Sequence, residues 1–284
     1  MVDNTKQHVR KFYDHIGWSH ISEGRYQNVH YEDVRPVSRD YIHLSHLRIN
    51  RHLKPTGRFL LDAGSGPVQY PEYLTYSAGY SYRVCLDISI QALKDARERL
   101  SDHGLYMVAD IANLPFKSET FDGIISLHTI HHLPTDEHCQ AYLDLYRVLR
   151  HGANAVVVNG WTNPPLRRII TPIVRLGKAI RFTLKGKRFR LIKRKKAWQP
   201  DDPDLTKTFT YKTDALWLKR ELTGLIPFEI YVWRSVNVHF LRTFIHPWLG
   251  GRYLLRVLYF LEERFPYFFG ENGQYPLIVL RKTR

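Results

Sequence analysis

The sequence predicts an α/β protein built around a doubly wound, mostly parallel sheet of seven strands, and three observations carry that expectation. Short apolar runs alternate with amphipathic stretches from Arg58 to about Asn159, at the spacing of βαβ units. Three of those runs end in aspartate, at Asp62, Asp87 and Asp110, and the first leads straight into a glycine turn. The 284 residues are 44% hydrophobic and 24% charged, ordinary values for a chain with a sizeable packed core.

Taken in order, residues 5–53 read as helices rich in aromatic and histidine side chains, forming an N-terminal helical segment over 1–54. The core over 55–160 begins with a strand at Phe59–Leu61 that ends at Asp62. Arg83–Leu86 is the second strand, Leu105–Ala109 the third, Phe121–Leu127 the fourth and Ala155–Asn159 the fifth. Between them, Ile90, Leu93, Ala96 and Leu100 share one helix face, with Ser89 placed as its N-cap. Asp136–Leu149 presents Tyr142, Leu145 and Leu149 in the same way, and Gly152 follows as a stop signal. An insert covers 161–210. Over 211–284 a helix at Lys212–Thr223, a strand at Phe228–Val238 and a last strand at Leu277–Leu280 complete the sheet. An aromatic-rich helical stretch at 241–269 lies between those two strands, and its Leu254, Leu255, Leu258, Tyr259 and Phe260 could bury a partner surface.

Charge is concentrated. Between Arg167 and Lys196 there are 13 Lys or Arg and no acidic residue, leaving only +2 of the net +15 to the rest of the chain. Thr171-Pro172 reads as a helix start, and Ile173, Leu176, Ile180 and Leu184 then share one face, with Arg175, Lys178 and Lys185 opposite. Gly186 ends the pattern, and a basic tail runs on to Lys196. Such a helix suits an anionic membrane surface, a wall of an acceptor pocket that pairs with phosphate, or simply a solvated face. A nucleic-acid partner is disfavoured, because the basic residues do not spread over a face and no stacking module is evident. Two cysteines, Cys85 and Cys139, cannot make a disulfide framework. No signal peptide or membrane span is expected, which fits a cytoplasmic protein with, at most, peripheral contact at the inner face of a membrane.

The chemistry centres on Leu61-Asp62-Ala63-Gly64-Ser65-Gly66, where a strand hands over to a helix. Glycine there allows left-handed backbone angles and close approach of a ligand. Asp87 follows Gly66 by 21 residues, the place from which a carboxylate accepts hydrogen bonds from ribose hydroxyls. Asp110 ends the next strand, where it could accept from an adenine amino group. Gln69 stands where a dinucleotide fingerprint needs its third glycine, so a pyrophosphate ligand is not indicated.

The segments LLDAGSGP (60–67), VCLDIS (84–89), ADIANLPFKSETFDGIISLHTIHHL (109–133) and LYRVLRHG (145–152) together resemble the class I S-adenosylmethionine-dependent methyltransferases, in the branch of small-molecule and quinone-biosynthesis enzymes. The resemblance implies a Rossmann-like fold and S-adenosylmethionine as cofactor. It places Asp62, Gly64 and Gly66 around the methionine portion, Asp87 at the ribose, and Asp110 with Ile111 at the adenine, with Ser65 and Ile88 as further cofactor contacts. Leu127 and His128 would floor the reactive sulfonium. Pro67-Val68-Gln69 departs from the family's commoner glycine-containing turn.

Methyl transfer to a hydroxyl benefits from a base, and His128, His131 and His132 sit at the carboxyl end of the fourth strand, with His131 or His132 the better candidates. A metal role for these and His138 is not supported by any carboxylate spacing. Tyr13, Tyr26 and Tyr31 are candidates for a lid over the cofactor. The expected activity is O-methylation of a small molecule, sugar or lipid-linked glycan. The alternatives are C- or N-methylation of a natural product or quinone-like lipid, or a cofactor- or nucleic-acid-binding module without turnover.

Overall fold

The computed structural model describes residues 2–22, 25–27, 32–169, 171–172 and 208–283. The basic helix and tail expected beyond Pro172, and the lid candidate Tyr31, therefore lie outside the described residues.

Helix α1 (Val2–Phe12) runs into a π-type turn over Tyr13–Gly17. The N-terminal segment is not wholly helical as expected: β1 (His20–Ser22) and β2 (Arg25–Tyr26) form a small antiparallel ribbon before α2 (Arg39–Leu47). These few residues carry no apolar repeat at helical spacing, so cross-strand pairing takes the backbone groups instead. The sheet then begins. In order come β3 (Gly57–Ala63), α3 (Pro71–Thr75), β4 (Tyr80–Asp87), α4 (Ile90–Leu100), β5 (Gly104–Val108), β6 (Gly123–Leu127), α5 (His138–Val148) and β7 (Ala153–Val158). After the insert come α6 (Ala215–Leu222), β8 (Phe228–Arg234), α7 (Val238–Phe244), α8 (Gly251–Arg264), α9 (Pro266–Asn272) and β9 (Tyr275–Lys282).

Seven strands form one sheet in the order β5-β4-β3-β6-β7-β9-β8, with only β9 reversed. Leu61 pairs with Val84 on one side and Ile124 on the other, and Val158 pairs with Leu277. The chain leaves β3 toward β5 and returns to β6, so the crevice between β3 and β6 is a topological switch point where ligands bind. Both faces are covered, one by a cluster that includes Leu145, Trp161 and Leu218, the other by one with Tyr73, Leu93 and Trp233. Their apolar continuity follows from burial of parallel strands on both faces.

Capping sets where several helices begin. Ser89 accepts from the amide of Ala92, Asp214 from that of Trp217 and Asn237 from that of Phe240. Each such cap stabilises its helix by about 1 kcal/mol. Asn237 also explains why the strand expected to reach Val238 stops at Arg234: the chain turns at once into α7. At the other boundary, α5 ends at Val148, before Gly152, because Leu149 bridges in parallel to Phe121. The aromatic-rich stretch is three helices. Glu262 of α8 is buried, bonding Tyr41, Arg48 and Ser235, while Gly270 of α9 packs directly on the backbone of Tyr231. The face expected to meet a partner is divided: Leu255 is buried, with Leu258 and Tyr259 packed against the same cluster, whereas Leu254 and Phe260 are exposed.

Candidate active site

A cavity of about 270 Å³ opens at the carboxyl ends of the parallel strands, across the switch point. The sequence-predicted residues Asp62, Gly64, Ser65, Gly66, Asp87 and Ile88 line it from β3 and β4. Asp110 and Ile111 line it from the end of β5; Leu127, His128, His131 and His132 from β6 and its loop; and Tyr13 from the N-terminal segment.

Gly64 and Gly66 adopt left-handed angles, with φ of +77° and +54°. A Cβ at Gly64 would stand 2.2 Å from the side chain of Thr129, so this backbone can approach the next loop only without a side chain. In the departing segment Pro67-Val68-Gln69, buried Val68 also has positive φ, at 53°, which is uncommon for a β-branched residue.

Asp87 accepts the amides of Gly66 on Oδ2 and Ser89 on Oδ1, each over 2.9 Å. Each oxygen keeps spare acceptor capacity, and burial pushes the carboxyl up to about 6 against the pull of those two amides. A partly satisfied carboxylate at a strand end fits a ligand that brings hydroxyl donors, which an adenosine ribose does. Ile88 and buried Ile111 offer apolar surface beside it. Asp62 differs. Its Oδ2 is held by buried Arg83 through Nη2 at 2.5 Å and Nε at 3.1 Å, so its carboxylate is committed to a neighbouring strand. Asp110 is ion-paired with Lys6 of α1, which also contacts Glu137.

The histidines are wired differently from one another. His132 Nδ1 lies 2.7 Å from the carbonyl oxygen of Phe209 and must donate to it. Its Nε2 therefore accepts, and the Tyr13 hydroxyl is 2.8 Å away. His131 Nδ1 is 3.3 Å from Oδ1 of Asn159, whose amide donates to the Tyr142 hydroxyl. That orientation fixes Oδ1 as an acceptor, places the His131 proton on Nδ1 and leaves Nε2 with a lone pair. His128 has φ of 58° and packs edge-on against Trp233 and Tyr275. Burial holds all three uncharged, with His128 down to about 3, His132 to about 4 and His131 well below the usual range.

Several lining residues carried no local signal in the sequence. Trp18 stacks on Tyr13 with ring centroids 5.2 Å apart, and Tyr70 and Tyr73 follow the glycine turn. Arg234 ends β8 and pairs with Glu32; Thr208 comes from the end of the insert and Lys212 from just after it. Tyr26, by contrast, is buried beneath Trp18 and does not line the cavity.

Residues 61–157 match a family model described as a methyltransferase domain. The chain is 31% identical over 117 residues to phthiotriol/phenolphthiotriol dimycocerosates methyltransferase 1 of Mycobacterium ulcerans, covering 40% of this chain and 42% of that one. It is 32% identical over 108 residues to a tRNA (carboxymethyluridine(34)-5-O)-methyltransferase of Arabidopsis thaliana, covering 38% and 25%. The chain thus spans less than half the length of these curated relatives. In fold it is similar to phosphoethanolamine N-methyltransferase 1 of Haemonchus contortus, solved with phosphoethanolamine and S-adenosylhomocysteine. The TM-score is 0.54 at 11% identity, over 99% of this chain and 49% of that one.

Proposed function

Residues 61–157 form a class I S-adenosylmethionine-dependent methyltransferase domain, and from that premise we propose that the chain methylates a hydroxyl oxygen of a small molecule, sugar or lipid-linked glycan. Asp87 would hold the ribose, Asp110 with Ile88 and Ile111 the adenine, and the turn at Gly64–Gly66 the amino-acid end. Bound there, the cofactor supplies an electrophilic methyl group.

His131 carries the oxygen assignment. It lines the cavity, burial keeps it uncharged, and Asn159 fixes its proton on Nδ1. Its Nε2 is then free to take the proton of an acceptor hydroxyl as the oxygen attacks. His132 has a different part, because its Nε2 already accepts from Tyr13. With Lys6 on Asp110 and Ser89 Oγ donating to Asp14 over 2.6 Å, that bond ties the N-terminal segment over the ends of β4, β5 and β6. Residues 1–54 would thereby act as a lid that excludes water from the transfer.

The experiment is calorimetry with S-adenosylhomocysteine, followed by a methyl-transfer screen over hydroxyl, amine and carbon acceptors. Cofactor-product binding and turnover on a hydroxyl are expected, with His131→Ala losing about 100-fold or more in turnover but not in cofactor affinity. A protein that does not bind S-adenosylhomocysteine, or a His131→Ala variant as active as the parent, refutes it.

A further inference from the structure

The sheet order divides the cavity into two halves of opposite character. Over β3, β4 and β5 it presents Asp62, Asp87 and Asp110, of which the first and last are neutralised by Arg83 and Lys6. Over β6, β7 and the antiparallel pair it presents Lys212 and Arg234. Arg234 has Glu32 as counter-ion, yet its Nε is buried without an acceptor. Lys212 has no carboxylate at ion-pair distance among the described residues. Its ammonium lies against the glycine that follows β7: a Cβ at Gly160 would stand 3.2 Å from Nζ. Thr208 Oγ1, from the same strip of chain, is buried and unpartnered. Lys212, Thr208 and Arg234 thus line one cavity in which the nearest carboxylate, Glu32, is already committed to Arg234, leaving Arg234 Nε and Thr208 Oγ1 unpartnered.

A desolvated ammonium without a counter-ion is costly, and burial, aided by Arg167, pulls Lys212 below its ordinary pKa. A cofactor bearing a sulfonium adds a second positive charge to the same enclosed volume, where repulsion is poorly screened. We infer that the acceptor carries an anionic group, a carboxylate or a phosphate, that docks on Lys212, with Thr208 Oγ1 and Arg234 Nε as further donors. This rests on the methyl-transfer reading above and names the substrate class for it. Such bonds are charge-assisted and directional, so they position as well as hold. They have a second effect. The charge of Lys212 is among those that depress His131, so an anion seated on Lys212 relieves that depression and makes Nε2 a stronger base when substrate is present.

The test titrates the protein–S-adenosylhomocysteine complex with inorganic phosphate and, separately, with acetate, following heat and the His131 ring resonances. At least one anion should bind saturably and raise the His131 pKa. Lys212→Met should weaken that binding by about tenfold or more, Lys212→Arg should restore it, and both should keep S-adenosylhomocysteine affinity within about twofold. Phosphate binding alone assigns a phosphorylated acceptor, acetate binding alone a carboxylate. The inference is overturned if neither anion saturates, if Lys212→Met binds like the parent, or if the anion displaces S-adenosylhomocysteine. Should the protein not bind S-adenosylhomocysteine, the methyl-transfer reading fails separately, and the same titration of the ligand-free protein still decides the Lys212 site.

Discussion

The Tyr13 hydroxyl donates to Nε2 of His132 over 2.8 Å, joining the N-terminal segment to the loop after β6 across 119 positions. Because His132 Nδ1 is committed to the carbonyl of Phe209, the imidazole cannot turn to another partner without breaking a second bond. On the proposed lid reading, this pair would be the latch that holds the N-terminal segment beside the cavity.

Tyr13→Phe keeps the ring stacked on Trp18 and removes only the hydroxyl. A single hydrogen bond of this kind contributes about 1 kcal/mol net. S-adenosylhomocysteine should therefore dissociate about fivefold faster by stopped flow, with the melting temperature little changed. His132→Ala, which also gives up the bond to Phe209, should cost more, and the double variant little more than His132→Ala alone, the signature of one shared contact.

Asp87 should give cofactor binding an acid limit. Burial sets its carboxyl at about 6 in the ligand-free protein, and ribose hydroxyls donate far more strongly to the ionised form, whose two oxygens both accept with a full charge behind them. Affinity for S-adenosylhomocysteine should then be flat above pH 6 and fall by about tenfold per unit below it, with proton release on binding near the midpoint. Calorimetry from pH 5 to 8 reads both. Asp87→Asn should bind at least about tenfold more weakly and lose the pH dependence; a variant with unchanged affinity removes the ribose assignment.

The Arg83–Asp62 pair is buried, and Arg83 Nη1 also donates to the carbonyl of Tyr73 over 2.5 Å. Removing one partner strands a buried charge. Arg83→Met should destabilise the protein by about 3–5 kcal/mol in urea unfolding, and adding Asp62→Leu should recover much of that loss. No recovery in the double variant would mean that the pair matters through its bond to Tyr73 rather than through its charge.

What the sequence disclosed and what it withheld divide along one physical line. Asp62, Asp87 and Asp110 were legible because each ends an apolar run, so strand, strand end and carboxylate are all local facts. The cap at Ser89 was legible for the same reason. Arg234 was hidden, because its strand was expected to run on to Val238 and its partner Glu32 is 202 positions away. The His128, His131 and His132 cluster was visible as a group, but the separate wiring of His131 to Asn159 and His132 to Tyr13 depends on segments that meet only in the folded chain. Asp62 shows the converse: its position was legible, its commitment to Arg83 was not.

His46 provides the last prediction. It is buried with Nε2 at 3.4 Å from Glu32 and Nδ1 at 3.7 Å from Glu72. Burial opposes its charge, but the two carboxylates outweigh burial and raise its pKa above 6.5. Glu32 shows the reverse balance: burial favours the neutral acid, and Arg234 and His46 overcome it, holding the carboxyl near 2. A depressed carboxyl stabilises the fold above its unfolded value, near 4.5, and the benefit drains away as pH falls toward 2. A raised histidine does the opposite, stabilising fully below 6.5 and losing the benefit as pH rises through its folded value. The stability gap between the parent and Glu32→Gln, measured by urea unfolding, should therefore shrink toward acid. The gap between the parent and His46→Gln should shrink toward alkali. Differences are the right observable, since His128 and His132, buried uncharged, also weaken the fold as pH drops below 6.5 but cancel between parent and variant. Two gaps that close in the same direction would show that the Glu32–His46 pair is not ionised in the folded protein, and the counter-ion of Arg234 would then have to be reassigned.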